Sequence, residues 1–212
     1  MVSARAARHD DSGFTLIELT VVLAVIVTLA LVLTPSISNF ITDSHVARAR
    51  SDASTLSAAI TTFWRDNGFY PQWTVSNAGG PGLPANKVDL LISDGNIPAV
   101  GAANLWTTGS NDQLADQLVA NAPAYTMKTA TSPFGWNGPY VTNTINADPW
   151  NNRYMVNIGL MESTQGTQGA SGATKSAVWV ISAGPNGIIE TPHTQAMTVA
   201  SISGDDIGIR LQ

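Results

Sequence analysis

A single carboxylate lies near the start of the most apolar segment of the chain. Glu18 follows Phe14 by four positions, and the apolar run that contains both continues to Leu33. A charged side chain in a membrane-spanning helix costs up to about 3 kcal/mol at the helix centre and less near its end. Glu18 therefore needs a positively charged partner, which is best supplied at the start of the helix.

A cut between Gly13 and Phe14 would create that partner. The new amino group of Phe14 would lie one helical turn from Glu18 of its own chain and within reach of Glu18 of a neighbouring helix. An ion pair in a low-dielectric environment between staggered helices would set their register. The alternative is a plain membrane anchor in which the Glu18 carboxylate reaches the interface.

The residues around this position carry a resemblance to a known family. Gly13 followed by F-T-L-I-E-L at residues 14–19 resembles the class III signal of type IV pilins and type II secretion pseudopilins. The resemblance implies that a prepilin peptidase removes a leader at residues 1–13 and N-methylates Phe14, and that Glu18 guides assembly into a helical filament. It also implies a subunit held in the inner membrane before assembly, and in a periplasmic or extracellular filament afterwards. Other pilin-like subunits and an inner-membrane assembly platform would be its partners.

The apolar run also fits a membrane span by length. A helix from Phe14 to Leu33 would be about 30 Å long, which matches the hydrocarbon thickness of a bilayer. A secretory signal peptide would require a small-residue cleavage site after the run, and no convincing site follows Leu33. We therefore assign residues 14–38 to a membrane and assembly helix, with Pro35 predicted to kink or end it.

The helical pattern resumes beyond the span. Apolar residues at spacings of three and four predict an amphipathic half of the same long helix at residues 39–71, ended by Gly68 at the left-handed cap position. The predicted buried stripe consists of Val46, Ala49, Ala53, Leu56, Ile60 and Phe63.

Strand patterns occur late in the chain. β-Branched and aromatic residues at 153–158, 177–182 and 207–211 predict an antiparallel sheet within residues 148–212. A Gly-rich composition predicts a mobile hairpin loop at 159–175. A long helix followed by such a sheet gives an α+β fold, and the resemblance implies that it is pilin-like.

The region between the helix and the late strands, residues 72–147, is rich in Gly, Pro, Asn and Thr. We call this region the insertion. Two short helices are predicted inside it. One lies near residues 86–93, and the other follows a capping box from Ser110 to Gln113 and carries Leu114 and Leu118.

A second resemblance concerns the late region. The stretch D-P-W-N-N-R-Y at residues 148–154 is similar to that of the major pseudopilin of type II secretion. This resemblance implies a calcium loop whose oxygens would come from Ser182, Asn186, Asp205 and Asp206. Glu190 is a further candidate ligand. Oxygen-only ligation suits a hard cation. A solvated acidic turn without metal is the alternative.

Composition excludes several classes of function. The formal net charge is −5 and the Lys and Arg residues are scattered, so nucleic acid is not an expected partner. With no Cys there are no disulfides or thiolate sites. The chain has neither a P-loop nor a G-x-S-x-G motif, and its 3 His residues are far apart, so we predict that it is not an enzyme.

The favoured hypothesis is a structural filament subunit resembling the major pseudopilin of type II secretion. A type IV pilus subunit is the alternative within the family. A membrane-tethered ligand-binding module is the alternative from a different class. Of the 6 Trp residues, half or more are expected in the core, including Trp64 and Trp179. Trp106 and Trp136 of the insertion are the candidates for a contact surface.

Overall fold

The computed structural model describes residues 13–74, 87–101, 105–106, 109–142, 145–161 and 175–212. The predicted leader apart from Gly13, and most of the predicted loop at 159–175, lie outside the described residues. The chain divides into two units, Met1–Asp43 and Ser44–Gln212.

The longest element is helix α1, Leu16–Asn67. Among the described residues, α1 is the one helix with the length and composition to cross a membrane, and none of its apolar window is buried. A core helix of the same composition would be mostly buried, whereas Leu31 and Val32 are 71% and 72% exposed. The helix continues through Pro35, so it does not end there as the prediction allowed.

Hydroxyl side chains along the apolar part of α1 donate hydrogen bonds to carbonyl oxygens three or four residues earlier. Such bonds satisfy the hydroxyl inside its own helix. The pairs are Thr20 to Ile17, Thr28 to Val25, Thr34 to Ala30, Ser38 to Thr34 and Thr42 to Ser38, at 2.7–3.2 Å.

The second half of α1 packs into the second unit. The predicted stripe is confirmed from Ala49 to Phe63, both of which are fully buried, and Val46 is half-buried. The helix ends as predicted. Gly68 has φ +81° and donates its N–H to the Trp64 carbonyl at 2.7 Å, which is the left-handed cap bond.

The remaining elements lie in the second unit. They are β1 Leu90–Ile92, β2 Ala99–Val100, β3 Asn111–Gln113, α2 Leu114–Leu118, β4 Met155–Val156, a 3₁₀ turn Ile158–Met161, β5 Trp179–Ser182, β6 Ile188–Ile189 and β7 Ile207–Arg210.

The strands form a mixed five-stranded sheet of order β3-β1-β4-β5-β7 and a separate parallel pair, β2 and β6. Strands β4, β5 and β7 are the three predicted late strands and pair antiparallel. The other two strands of the five-stranded sheet come from the insertion: β1 pairs antiparallel with β4 and parallel with β3.

The two helices predicted in the insertion have different outcomes. The prediction of a helix near residues 86–93 is wrong, because strand β1 lies there with all its side chains buried. Hydrophobic periodicity cannot distinguish a short buried strand from a buried helix. Helix α2 is confirmed with Leu114 and Leu118 buried, but its capping box is wrong. Gln113 is the N-cap and forms no side-chain cap bond. The Ser110 hydroxyl bonds to the Lys87 carbonyl at 3.1 Å instead.

Each face of the sheet has its own core. On one face Leu91, Val156 and Val180 pack with the buried stripe of α1. On the other face Trp106 packs with Ile181 and other buried apolar residues of the sheet. Both faces are covered, which explains why the strands show no alternation of polar and apolar residues.

The two tryptophans predicted to form a contact surface do not do so. Trp106 and Trp136 are 0% and 7% exposed, so both belong to the core. Trp179 is buried as expected. Trp64 is 45% exposed and stacks on Tyr70 with ring centroids 6.0 Å apart, so its assignment to the core is wrong.

Candidate functional site

The first candidate site is the start of α1. The Thr15 N–H donates to Glu18 Oε2 at 2.8 Å, and the Thr15 hydroxyl donates to the same oxygen at 2.7 Å. In return, the Glu18 N–H donates to Thr15 Oγ1 at 3.3 Å. This reciprocal pair is a capping box, which satisfies N–H groups that have no partner in the first turn of a helix.

The surroundings of Glu18 are apolar and open. Phe14 is 92% exposed and Ile17 is 70% exposed. Both bonds from Thr15 go to Oε2, and among the described residues no donor reaches Oε1. The carboxylate is therefore fixed in orientation by its own chain and keeps one oxygen for another partner.

The second candidate site is an acidic loop formed by the residues around β6 and those before β7. We use "acidic loop" for Asn186–Glu190 together with Asp205 and Asp206. The Asn186 N–H donates to Asp205 Oδ2 at 3.1 Å, and the Asn186 amide donates to Glu190 Oε1 at 2.9 Å. The Asp205 N–H donates to Glu190 Oε2 at 3.3 Å. Three of the predicted ligands and Glu190 are thus neighbours in the structure.

Asp206 is the most buried carboxylate of the acidic loop, at 8% exposure. Its Oδ2 accepts the N–H groups of Glu190 at 3.0 Å and Thr191 at 2.7 Å. Burial raises the pKa of Asp206, although these hydrogen bonds act in the opposite direction. The Oδ1 atoms of Asp205 and Asp206 are buried and have no partner among the described residues. Buried polar atoms normally have a partner, so both oxygens can accept a cation.

Ser182 is placed differently from the other predicted ligands. Its hydroxyl donates to Asp148 Oδ2 at 2.6 Å and accepts the Gly184 N–H at 3.2 Å. Asp148 Oδ1 accepts the N–H groups of Trp150 and Asn152, so this carboxylate organises the turn at the start of the D-P-W stretch. Within the described part of the chain, no group of three or more His, Asp or Glu side chains forms a metal site. A cation at the acidic loop would therefore need backbone carbonyl or water oxygens as well.

Two glycines shape the acidic loop. Gly184 has φ +64°, and a Cβ built on it would collide with the backbone carbonyl oxygen of Asp205. Gly204 has φ +63°, and its Cβ would collide with the Glu190 carboxylate. At Gly184 the obstacle is backbone, so glycine is needed for the close approach as well as for the positive φ. At Gly204 the obstacle is the end of a flexible side chain, so glycine is needed chiefly for the positive φ.

Comparison with known proteins bears on the first site. Residues 8–34 match the family described as the prokaryotic N-terminal methylation motif. The matched stretch contains Gly13, Phe14 and the Thr15–Glu18 capping box. Residues 8–34 therefore carry a type IV pilin-like N-terminal motif.

A curated relative is similar to part of this chain. The chain is 38% identical over 84 residues to the type IV major fimbrial protein FimA of Dichelobacter nodosus. The aligned region is 37% of this chain and 52% of the relative, so the match spans about half the length of that protein. No solved structure gives a significant match.

Two residues of the candidate sites were not predicted as site residues. Thr15 orients Glu18, and the T-x-x-E spacing at residues 15–18 is the local signal that predicts it. Thr191 holds Asp206 through its N–H, and the Ser203 N–H donates to its hydroxyl oxygen at 3.0 Å. No sequence pattern identifies Thr191, because its partners come from distant parts of the chain.

Proposed function

We propose that the chain is a structural subunit of a type IV pilin-like filament and that it polymerises through its N-terminal helix. The observation that carries this proposal is an exposed apolar helix that begins with an oriented carboxylate inside the methylation motif. A helix with this surface must be covered by lipid or by protein.

The apolar surface of that helix and its oriented carboxylate would have separate roles in assembly. The side chains exposed between Leu16 and Phe40 would face lipid in the precursor and neighbouring helices in the filament. Cleavage after Gly13 would free the amino group of Phe14. This amino group would donate a hydrogen bond to Glu18 Oε1 of a neighbouring subunit. The apolar contacts supply most of the cohesion, and the ion pair sets the register.

We favour the major pseudopilin of a type II secretion pseudopilus over a surface pilus subunit. The turn organised by Asp148 and the acidic loop both support this choice, since the resemblance to that family includes both. The relationship to a fimbrial protein supports the type IV pilus as the second candidate. A prepilin peptidase, other pilin-like subunits and an inner-membrane platform would be partners in either case.

Processing gives the first prediction. Intact mass and N-terminal sequencing of the protein from membrane and sheared-fibre fractions should show a chain that begins at methylated Phe14. The fibre fraction should contain only this form, because the leader would block the amino group that pairs with Glu18.

A chain that retains residues 1–13 and occurs in membranes alone would contradict the filament proposal. It would favour the membrane-tethered binding module. The burial of Trp106 and Trp136 removes the contact surface first assigned to that module.

We also propose that the acidic loop binds Ca²⁺. Asp205 and Asp206 each have a buried Oδ1 without a partner among the described residues, and neither carboxylate forms an ion pair with a described basic side chain. A bound cation would offset the burial of both charges. The remaining oxygens would come from backbone carbonyls or water, because no group of three acidic side chains in the described part of the chain forms a metal site.

Calcium binding gives the second prediction. Excess Ca²⁺ should raise the Tm of the full chain in detergent by several degrees, since ligand at 100 times its Kd adds about 2.7 kcal/mol to the free energy of unfolding. Asp206→Asn should abolish the increase, because the amide oxygen can still accept the two N–H groups but carries no charge. An equal Tm with Ca²⁺ and with a chelator would refute the calcium proposal.

A further inference from the structure

Trp106 connects the insertion to the acidic loop. Its ring is fully buried, and its Nε1–H donates to the Thr191 carbonyl at 2.8 Å. Thr191 is itself fully buried and donates its N–H to Asp206 Oδ2 at 2.7 Å. Thr191 therefore connects the Trp106 ring to Asp206, the most buried carboxylate of the acidic loop.

A second connection holds the start of the same segment. Strand β2 of the insertion pairs in parallel with β6, with Ala99 opposite Ile188 and Val100 opposite Ile189. The Ala99 N–H also donates to the Gly187 carbonyl at 2.9 Å. The insertion thus fixes the chain before Glu190 through a strand pair and the chain after Glu190 through Trp106.

We propose that Trp106 is a positioning residue for a divalent cation at the acidic loop. This inference rests on the proposed calcium site. Without a cation, the buried Oδ1 atoms of Asp205 and Asp206 favour conformations in which water reaches them. The Trp106 bond opposes such opening by holding Thr191, and through Thr191 the carboxylate of Asp206. The binding-competent conformation is then more populated before the cation arrives, which lowers the apparent Kd.

The test measures Ca²⁺ affinity of the full chain in detergent by titration calorimetry. Trp106→Phe retains most of the buried ring and removes the N–H, and we expect it to raise the Kd about three- to tenfold. Trp136→Phe is the matched control. Trp136 is also buried, but its Nε1 has no hydrogen-bond partner among the described residues, so its Kd should equal that of the unmodified chain.

A measurement on the unmodified chain covers the case in which Trp106→Phe does not fold. Ca²⁺ should slow hydrogen exchange of the Trp106 indole N–H, detected by nitrogen-15 labelling of tryptophan, at least fivefold. The Trp136 indole should exchange at the same rate with and without Ca²⁺.

The possible results separate the two proposals. If the unmodified chain does not bind Ca²⁺, both the calcium site and the role of Trp106 are wrong. If it binds Ca²⁺ but Trp106→Phe leaves the Kd unchanged, or Ca²⁺ leaves Trp106 exchange unchanged, only the role of Trp106 is wrong.

Discussion

Replacing Glu18 with Val should leave the protein in the membrane but reduce its yield in sheared fibres more than tenfold. The variant inserts at least as well, because it removes a charge from an apolar helix. It would also leave the Phe14 amino group of a neighbouring subunit without its partner. Loss of one member of an ion pair enclosed by neighbouring helices leaves the other charge uncompensated in a low-dielectric environment, which opposes assembly. Immunoblots of membrane and fibre fractions measure the effect.

Two further variants separate charge from helix capping. Glu18→Gln keeps an oxygen that can accept the bonds from Thr15 but lacks the charge, so it should assemble as poorly as Glu18→Val. Thr20→Val changes a polar residue of the same helix without changing charge, and its fibres should match those of the unmodified chain. Normal fibres from Glu18→Gln would show that the ion pair is not required.

Replacing Gly184 with Ala should lower the free energy of unfolding by about 2–5 kcal/mol. The left-handed backbone at φ +64° costs a non-glycine residue about 1–2 kcal/mol. The added Cβ would also collide with the Asp205 carbonyl, and overpacking of this kind costs about 1–3 kcal/mol. Thermal unfolding of the full chain in detergent should show a Tm lower by roughly 5–15 °C.

Gly68→Ala is the control for the backbone contribution. Gly68 also has a positive φ, of +81°, but a Cβ built there would meet no atom within 4 Å. This variant should lose only about 1–2 kcal/mol. Equal decreases in Tm for the two variants would mean that the segments carrying Gly184 and Asp205 separate easily.

Sequence patterns predict the elements whose signal is local. The stripe from Ala49 to Phe63 repeats with the helical period over several turns, and Gly68 ends it at a position where a left-handed residue is needed. The motif at Glu18 is equally local, since every residue that orients the carboxylate lies within one turn. Both features can therefore be predicted from the local sequence alone.

The features that the patterns miss depend on distant partners. Strand β1 is a short apolar run whose state is decided by pairing with β4, more than sixty positions later. Trp106 is buried by the far face of the sheet and bonds to a carbonyl 85 positions away. The same holds for Ser182, whose hydroxyl donates to Asp148, 34 positions earlier in the chain. No window of sequence contains both members of these pairs.

The back-bonded hydroxyls of α1 bear on the transfer of this helix between two environments. A free hydroxyl would be hydrated in water and unsatisfied in hydrocarbon, so its free energy would depend strongly on the medium. The Thr28 and Thr34 hydroxyls donate to carbonyl oxygens of their own helix, so these hydrogen bonds are kept when the helix changes its environment. The free energy of these groups therefore changes little when the surrounding medium changes. Moving a subunit from lipid into a fibre would therefore cost little free energy at these hydroxyl groups. Glu18 would account for most of the free energy of transferring polar groups.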